Sequence, residues 1–321
     1  SVIPTWLICL ALPTGCFRAA LRWLMMMPCR LNASCVRLAS STMTETFPTS
    51  SPPLTHDRWY DGSLTLWQPE AGFRATTDAV LLAASIPDGT RHAIELGAGG
   101  GAASLALAMR FKAMRLPSIG LEGLTITAVE RDPLMAELLH RNIAENGFAD
   151  SIRAVEADIF DPSMAKAWQG RHDLAFCNPP YNDVASSQSG DARRRGAVAA
   201  DDLGGWVDAA LGCLAARGRI VMISRSDRLD EILAALSRAD TGEVVIRPVH
   251  GQVGNPAIRV LMTARKGISG PMTLLPPLVL RQGDGLTPEM ERISHQRAAI
   301  DLLAPGRKQG AVRLENIRHS R

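Results

Sequence analysis

The sequence predicts a doubly wound α/β fold, with seven strands in a mostly parallel sheet and one late hairpin strand running antiparallel. Three observations carry this. From residue 76 onward, short apolar runs alternate with helix-like segments, the pattern of a sheet crossed by helices. Asp132-Pro133 and Asp161-Pro162 each join a capping acid to a first-turn proline and so mark helix starts. The last two strand-like runs, Glu243 to Val249 and Ala257 to Ala264, have no helix between them, which predicts a hairpin.

The elements follow in order. Ala93 to Leu96 is a short apolar strand, and Ala102 to Phe111 is the first helix. Thr125 to Val129 is the second strand, and the helix opened by Asp132 runs to about Asn146. Ile152 to Ala157 is the third strand, followed by the helix begun at Asp161. Leu174 to Cys177 is a buried strand, because it is a continuous apolar run ended by two prolines. A helix over about Asp202 to Ala215, a strand over Arg219 to Ser224 and a helix over about Asp227 to Ser237 precede the hairpin. No internal repeat is visible.

Composition sets the limits. The 321 residues, 46% hydrophobic and with a formal charge of +3, can bury one large core or two small ones, and so balanced a charge names no class of partner. The long apolar stretch at Trp6 to Leu12 lies between Pro4 and Pro13 and is too short to cross a bilayer, so no membrane association is expected. Residues 1–42 carry four arginines, no acid and four of the six cysteines. They read as a targeting leader or, the reading favoured here, as non-native sequence ahead of Met43. The cysteines form no C-x-x-C pair, so neither a metal site nor a disulfide framework is expected, and a reducing cytoplasm is inferred. The expected organisation is a disordered extension over 1–53, a single domain over 54–302 and a basic flexible tail over 303–321.

Four places carry chemistry. Asn178-Pro179-Pro180-Tyr181 follows the fourth strand. The Asn side-chain carbonyl and the backbone carbonyl of Pro179 are two acceptors for the two hydrogens of an NH2 group, and Tyr181 offers a face for stacking. Pro180 and Pro179 fix φ and donate no N–H, so the corner is stiff. An ordinary rigid turn would have the same residues. Gly97-Ala98-Gly99-Gly100-Gly101 joins the first strand to its helix, behind Glu95, and its backbone can approach an anionic group at the helix N-terminus. Dinucleotide-binding proteins share that feature. Glu130, ending the second strand, can accept both ribose hydroxyl hydrogens or stand as a solvated acid. Asp158 with Ile159 and Phe160, ending the third, suits an adenine amino group or a helix cap, although Asp161 already fills the second role. The four occur in order at strand carboxyl ends, where an open α/β sheet places its ligand crevice.

Together these residues resemble the class I S-adenosylmethionine-dependent methyltransferases that act on amino nitrogen, with their Rossmann-like fold. Gly72-Phe-Arg-Ala-Thr-Thr-Asp-Ala-Val-Leu-Leu-Ala-Ala and Pro256-Ala-Ile-Arg-Val-Leu-Met-Thr-Ala-Arg-Lys-Gly are similar to the bacterial tRNA1(Val) adenine-37 N6-methyltransferases, over roughly residues 54 to 302. The resemblance implies S-adenosylmethionine as cofactor, with Gly97 and Gly99 beneath its methionine part and Glu95 shaping that loop. It implies Glu130 on the ribose, Asp158 and Ile159 on the adenine, and Thr77 and Asp78 closing over the cofactor. Asn178 and the Pro179 carbonyl would hold the target amine, with Tyr181 stacked on the base. The lengthened link from Arg110 to Gly123 and the extra Gly100 depart from the pattern.

A tRNA substrate is the implied partner, and no obligate protein partner is implied. The target base must be flipped or lie in a loop to reach such a corner. Candidate phosphate contacts are Arg193, Arg194 and Arg195, Arg259, Arg265 and Lys266, and the tail from Arg307 to Arg321. Charged runs are also ordinary solvated faces. Two other readings use some of the same residues. Glutamine N5-methylation of a protein, as in release-factor enzymes, would bring a helical amino-terminal module. A dinucleotide oxidoreductase would use the glycine loop and Glu130 but has no use for Asn178 to Tyr181.

Overall fold

The computed structural model describes residues 52–114, 123–180 and 202–302. The chain divides into two units, Ser1–Ser51 and Pro52–Arg321, and all the described residues belong to the second. Tyr181, Arg193 to Arg195 and the tail from Arg307 lie outside the described residues.

The unit opens with an antiparallel hairpin, β1 (Leu54–Trp59) and β2 (Leu64–Pro69), which the sequence reading did not assign. Asp61 and Gly62 form its corner at φ 56° and 70°, and Ser63 N–H donates to the Tyr60 carbonyl at 3.1 Å. Positive φ at both central residues is the type I′ geometry that suits strand twist, and Asp-Gly is among its favoured pairs. Helix α1 (Thr77–Ala84) follows, capped by Thr76, whose side chain accepts from Asp78 N–H.

The main sheet is built from β3 (His92–Leu96), β4 (Thr125–Glu130), β5 (Ile152–Glu156), β6 (His172–Cys177), β7 (Leu214–Arg225), β8 (Thr241–Gln252) and β9 (Ala257–Lys266). Their order is β8-β9-β7-β6-β3-β4-β5. All neighbours are parallel except β9, which runs antiparallel to both β7 and β8, so the seven strands and the reversed hairpin strand stand as the sequence predicts. Three short strands extend the β8 edge: β10 (Thr273–Leu274), β11 (Leu278–Gln282) and β12 (Gly285–Leu286). Two of them are only two residues long, which gives no periodic signal.

The crossovers are α2 (Ala102–Ala113), α3 (Pro133–Glu145), α4 (Pro162–Trp168), α5 (Leu203–Cys213) and α6 (Leu229–Arg238), and α7 (Pro288–Gln296) comes last. Asp132 and Asp161 cap α3 and α4 by accepting from Met135 and Ser163 N–H, with proline in the first turn of each. Alternate strand residues feed two cores. Ala93, Leu174, Phe176, Val221 and Ile223 pack on one face with Leu82, Leu105, Leu107 and Leu139. Ile94, Leu96, Ala175, Cys177, Ile220 and Met222 pack on the other with Val207, Leu211 and Ile232. Each fully buried aliphatic side chain of this kind contributes about 1.5–3 kcal/mol.

Helix α2 is anchored at its last turn. Arg110 in its last turn is fully buried, donating to Asp88 at 2.6 Å and to the Ile86 carbonyl. Among the described residues no helix is long and apolar enough to cross a membrane.

Candidate active site

Strand order decides where the loops meet. From β3 the chain steps outward through β4 and β5, then returns to the other side of β3 as β6. The reversal lies between β3 and β6, where open α/β sheets bind ligands. Leu96 pairs with Cys177 in register, so Gly97 and Asn178 leave the sheet as neighbours. A cavity of about 650 Å³ lies there, bordered by Gly97, Gly99, Glu130, Asp158, Ile159, Asn178, Pro179 and Pro180, and also by Thr77, Asp78 and Arg259. Its volume is in the range of small-molecule and cofactor sites, about 300–1,000 Å³. A smaller cavity of about 130 Å³ adjoins Glu95, the glycine loop and Asn178.

The glycines of the loop serve the protein's own packing first. Gly97 has φ +69°, and a Cβ there would come within 2.6 Å of the Trp206 ring. Gly101 has φ +87°, and a Cβ would meet Leu139 at 2.5 Å. The extra Gly100 turns its carbonyl to the Asn142 amide at 2.9 Å. Because Gly101 is its N-cap residue, α2 has no capping side chain of its own. Glu95 supplies one from β3: it is buried and accepts from the Ser104 N–H at 3.1 Å and from the Ser104 hydroxyl. Burial drives its carboxyl up to about 8, with the Ser104 bonds opposing the shift, so it carries a proton at neutral pH.

Glu130 is built differently. Its Oε1 accepts from Arg131 and Asp132 N–H, each at 2.8 Å, and its Oε2 accepts from Gly99 N–H at 2.8 Å. A carboxylate oxygen has two lone pairs, so Oε2 keeps capacity for a ligand hydroxyl. Asp158 Oδ1 accepts from Phe160 N–H at 2.9 Å, and Oδ2 stands 3.9 Å from Arg131. Ile159 and Phe160 bring an apolar surface beside it, and the Phe160 ring meets Trp206 edge-on at 5.9 Å.

No family model matches the chain. A tRNA1(Val) (adenine(37)-N6)-methyltransferase of Shewanella putrefaciens is 28% identical over 197 residues, 60% of this chain and 78% of that protein. The enzyme of the same name from Porphyromonas gingivalis is 30% identical over 177 residues, 51% of this chain and 64% of that one. A crystal structure from Agrobacterium tumefaciens, described as a predicted O-methyltransferase, superposes with a TM-score of 0.56 at 28% identity, covering 70% of this chain and 98% of that one. The fold is the Rossmann-like class I methyltransferase fold. Within it the chain resembles the tRNA1(Val) adenine-37 N6-methyltransferases.

Three arginine and lysine candidates fall at opposite ends of the sheet. Arg259 pairs with Arg225 at the carboxyl end, borders the large cavity and donates from Nε to Asp78 at 3.0 Å. Arg265 pairs with Arg219 at the amino end and donates to the Arg217 carbonyl. Lys266 there donates to the Leu211 and Leu214 carbonyls at 2.7 and 2.9 Å. Arg265 and Lys266 thus bond to backbone carbonyls at the end of the sheet away from the cleft, and Arg259 stands beside it. Sequence reasoning passed over Trp206, Met135 and Phe73, all of which border the cavities. Only Phe73 had a local cue, its place in the Gly72-to-Ala84 segment.

Proposed function

We propose that this chain transfers a methyl group from S-adenosylmethionine to the exocyclic N6 of an adenine in tRNA. The observation that carries the reading is the Leu96–Cys177 register, which sets the glycine loop and the Asn178-Pro179-Pro180 corner on adjacent strands around one cavity. The residues present fit the donor. Two carboxylates at neighbouring strand ends, Glu130 and Asp158, suit ribose hydroxyls and an adenine amine, and Ile159 suits the adenine face. Gly97 and Gly99, behind the Glu95-anchored turn, receive the amino-acid part, while Thr77 and Asp78 close the side of the cleft. When bound, the donor supplies a methyl group already activated by the sulfonium charge.

The protein's share is alignment. An adenine amine is a poor nucleophile because its lone pair is delocalised into the ring. The Asn178 side-chain carbonyl and the Pro179 backbone carbonyl accept its two hydrogens, and Pro180 keeps the corner stiff for Tyr181 to stack on the base. These acceptors favour a pyramidal nitrogen as positive charge develops there. Holding the amine in place makes the step effectively unimolecular, an effect worth up to about 7–11 kcal/mol. No strong general base is needed, since the proton leaves after the new bond has formed.

The described residues ahead of α1 form an antiparallel hairpin. The finer reading is a cytoplasmic enzyme. It accords with Cys177 and Cys213, two buried free thiols whose pKa values burial raises, that of Cys213 to about 11. The test is incubation with labelled donor and total tRNA, then digestion to nucleosides. Label in N6-methyladenosine supports the proposal, and label only in protein glutamine overturns it.

A further inference from the structure

Among the described residues the large cavity carries more negative than positive side chains. Asp78, Glu130, Asp132 and Asp158 border it, against Arg74, Arg131 and Arg259. All three guanidinium groups face carboxylates, Arg74 at 2.7 Å from Asp57, Arg259 at 3.0 Å from Asp78 and Arg131 at 3.9 Å from Asp158. These described side chains give a phosphodiester no net attraction, while a neutral base meets no net charge repulsion. Selection at the mouth then falls to apolar contact.

Among the described residues five large apolar side chains are exposed: Phe73, Val253, Ile258, Met272 and Leu274. Two of these, Phe73 at 69% exposure and Ile258 at 49%, border this cavity. They reach it from different parts of the chain, Phe73 from the segment between β2 and α1, and Ile258 from the start of β9. Phe73 also borders the smaller cavity together with Asn178, so it stands beside the corner that receives the amine.

Resting on the methyltransferase reading above, we propose that Phe73 and Ile258 are the lips that grip the target nucleobase of the RNA. Phe73 supplies a stacking face and Ile258 an apolar edge. Every base has a π-face, so this contact gives affinity for an unpaired base while the phosphates stay in solvent. It also gives a physical use to two exposed apolar side chains that the folded core does not need.

Steady-state kinetics with tRNA test the proposal. Phe73→Ala is expected to raise the KM for tRNA roughly 5- to 150-fold, the range for loss of one base–aromatic stack. Phe73→Tyr restores it, and donor affinity measured by calorimetry stays at the wild-type value in both. Ile258→Ala raises the KM in the same direction and decides the matter if Phe73→Ala does not fold. Leu274→Ala, equally exposed but away from the cavity, leaves the KM unchanged. An unchanged KM in Phe73→Ala overturns the proposal, as does an equal loss of donor affinity. Failure of the wild-type protein to methylate any tRNA would instead strike the reading on which this inference rests.

Discussion

The two ends of the central sheet carry similar charged side chains and use them in opposite ways. At the amino end Asp173 accepts from Arg91 and His92 N–H, while Arg265 and Lys266 donate to backbone carbonyls. At the carboxyl end Glu130, Asp132, Asp158 and Arg259 line a cavity. Charge at the first end satisfies loops and chain ends. Charge at the second borders the cavity beside the switch between β3 and β6. The same residue types therefore mean different things according to which end of a strand they stand on, and register decides that.

The sharpest way to break this contrast is at the cleft. Asn178→Ala should lower kcat about 10²- to 10³-fold while donor affinity, read by calorimetry, holds. A parallel fall in both would remove the role given to Asn178. Glu130→Ala, on the neighbouring strand end, should weaken donor binding roughly 10- to 100-fold, the effect of losing hydrogen bonds to a charged group. It should also lower the melting temperature, because Gly99, Arg131 and Asp132 N–H lose their acceptor.

Glu95 sharpens the comparison by pH. Its carboxyl is raised from the ordinary 4.5 to about 8 in the folded protein, so between those values the native state holds a proton that the unfolded chain releases. Stability contributed by this group is full below about 4.5 and is lost as pH rises toward 8. Glu95→Gln should flatten the stability–pH curve across that window in denaturant titrations, while wild-type slopes in the variant would contradict the buried protonated state. The smallest expected effect is at the far end. Lys266→Met should cost about 1.5–3 kcal/mol of stability by removing the hydrogen bonds of a charged group to the Leu211 and Leu214 carbonyls, with no change in KM for tRNA. An increase in that KM would return Lys266 to the RNA surface.

Local chemistry was legible in the sequence and long-range partnership was not. Asp132-Pro133 and Asp161-Pro162 mark their helices because cap and proline act within one turn. Asn178 to Pro180 is readable for the same reason. The Asp61-Gly62 corner was equally local, and its hairpin signal went unread between less regular strands. Arg259 reads as a surface cation until it is placed beside Asp78, 181 residues away. Gly97 reads as a ligand-approach glycine until Trp206 is seen against it. The paired loops of the cleft follow from strand ends in order, but the apolar lip needed the fold.

The hairpin reaches the rest of the molecule through two asparagines. Asn142 exchanges hydrogen bonds with the N–H and carbonyl of Trp67, and Asn146 does the same with Thr65. One helical step of four residues advances about 6.0 Å, and two residues of strand advance about 6.6–6.8 Å. Such a zipper stays in step for two teeth and falls behind at a third. Sliding β2 by one residue would turn its peptide groups to the opposite edge, away from these amides, so the join indexes the hairpin like a vernier. Since Asn142 also holds the Gly100 carbonyl, the same setting is passed to the turn that faces the donor. An insertion of a single residue in β2 would therefore be felt at the methyl-transfer cleft without touching any residue that lines it.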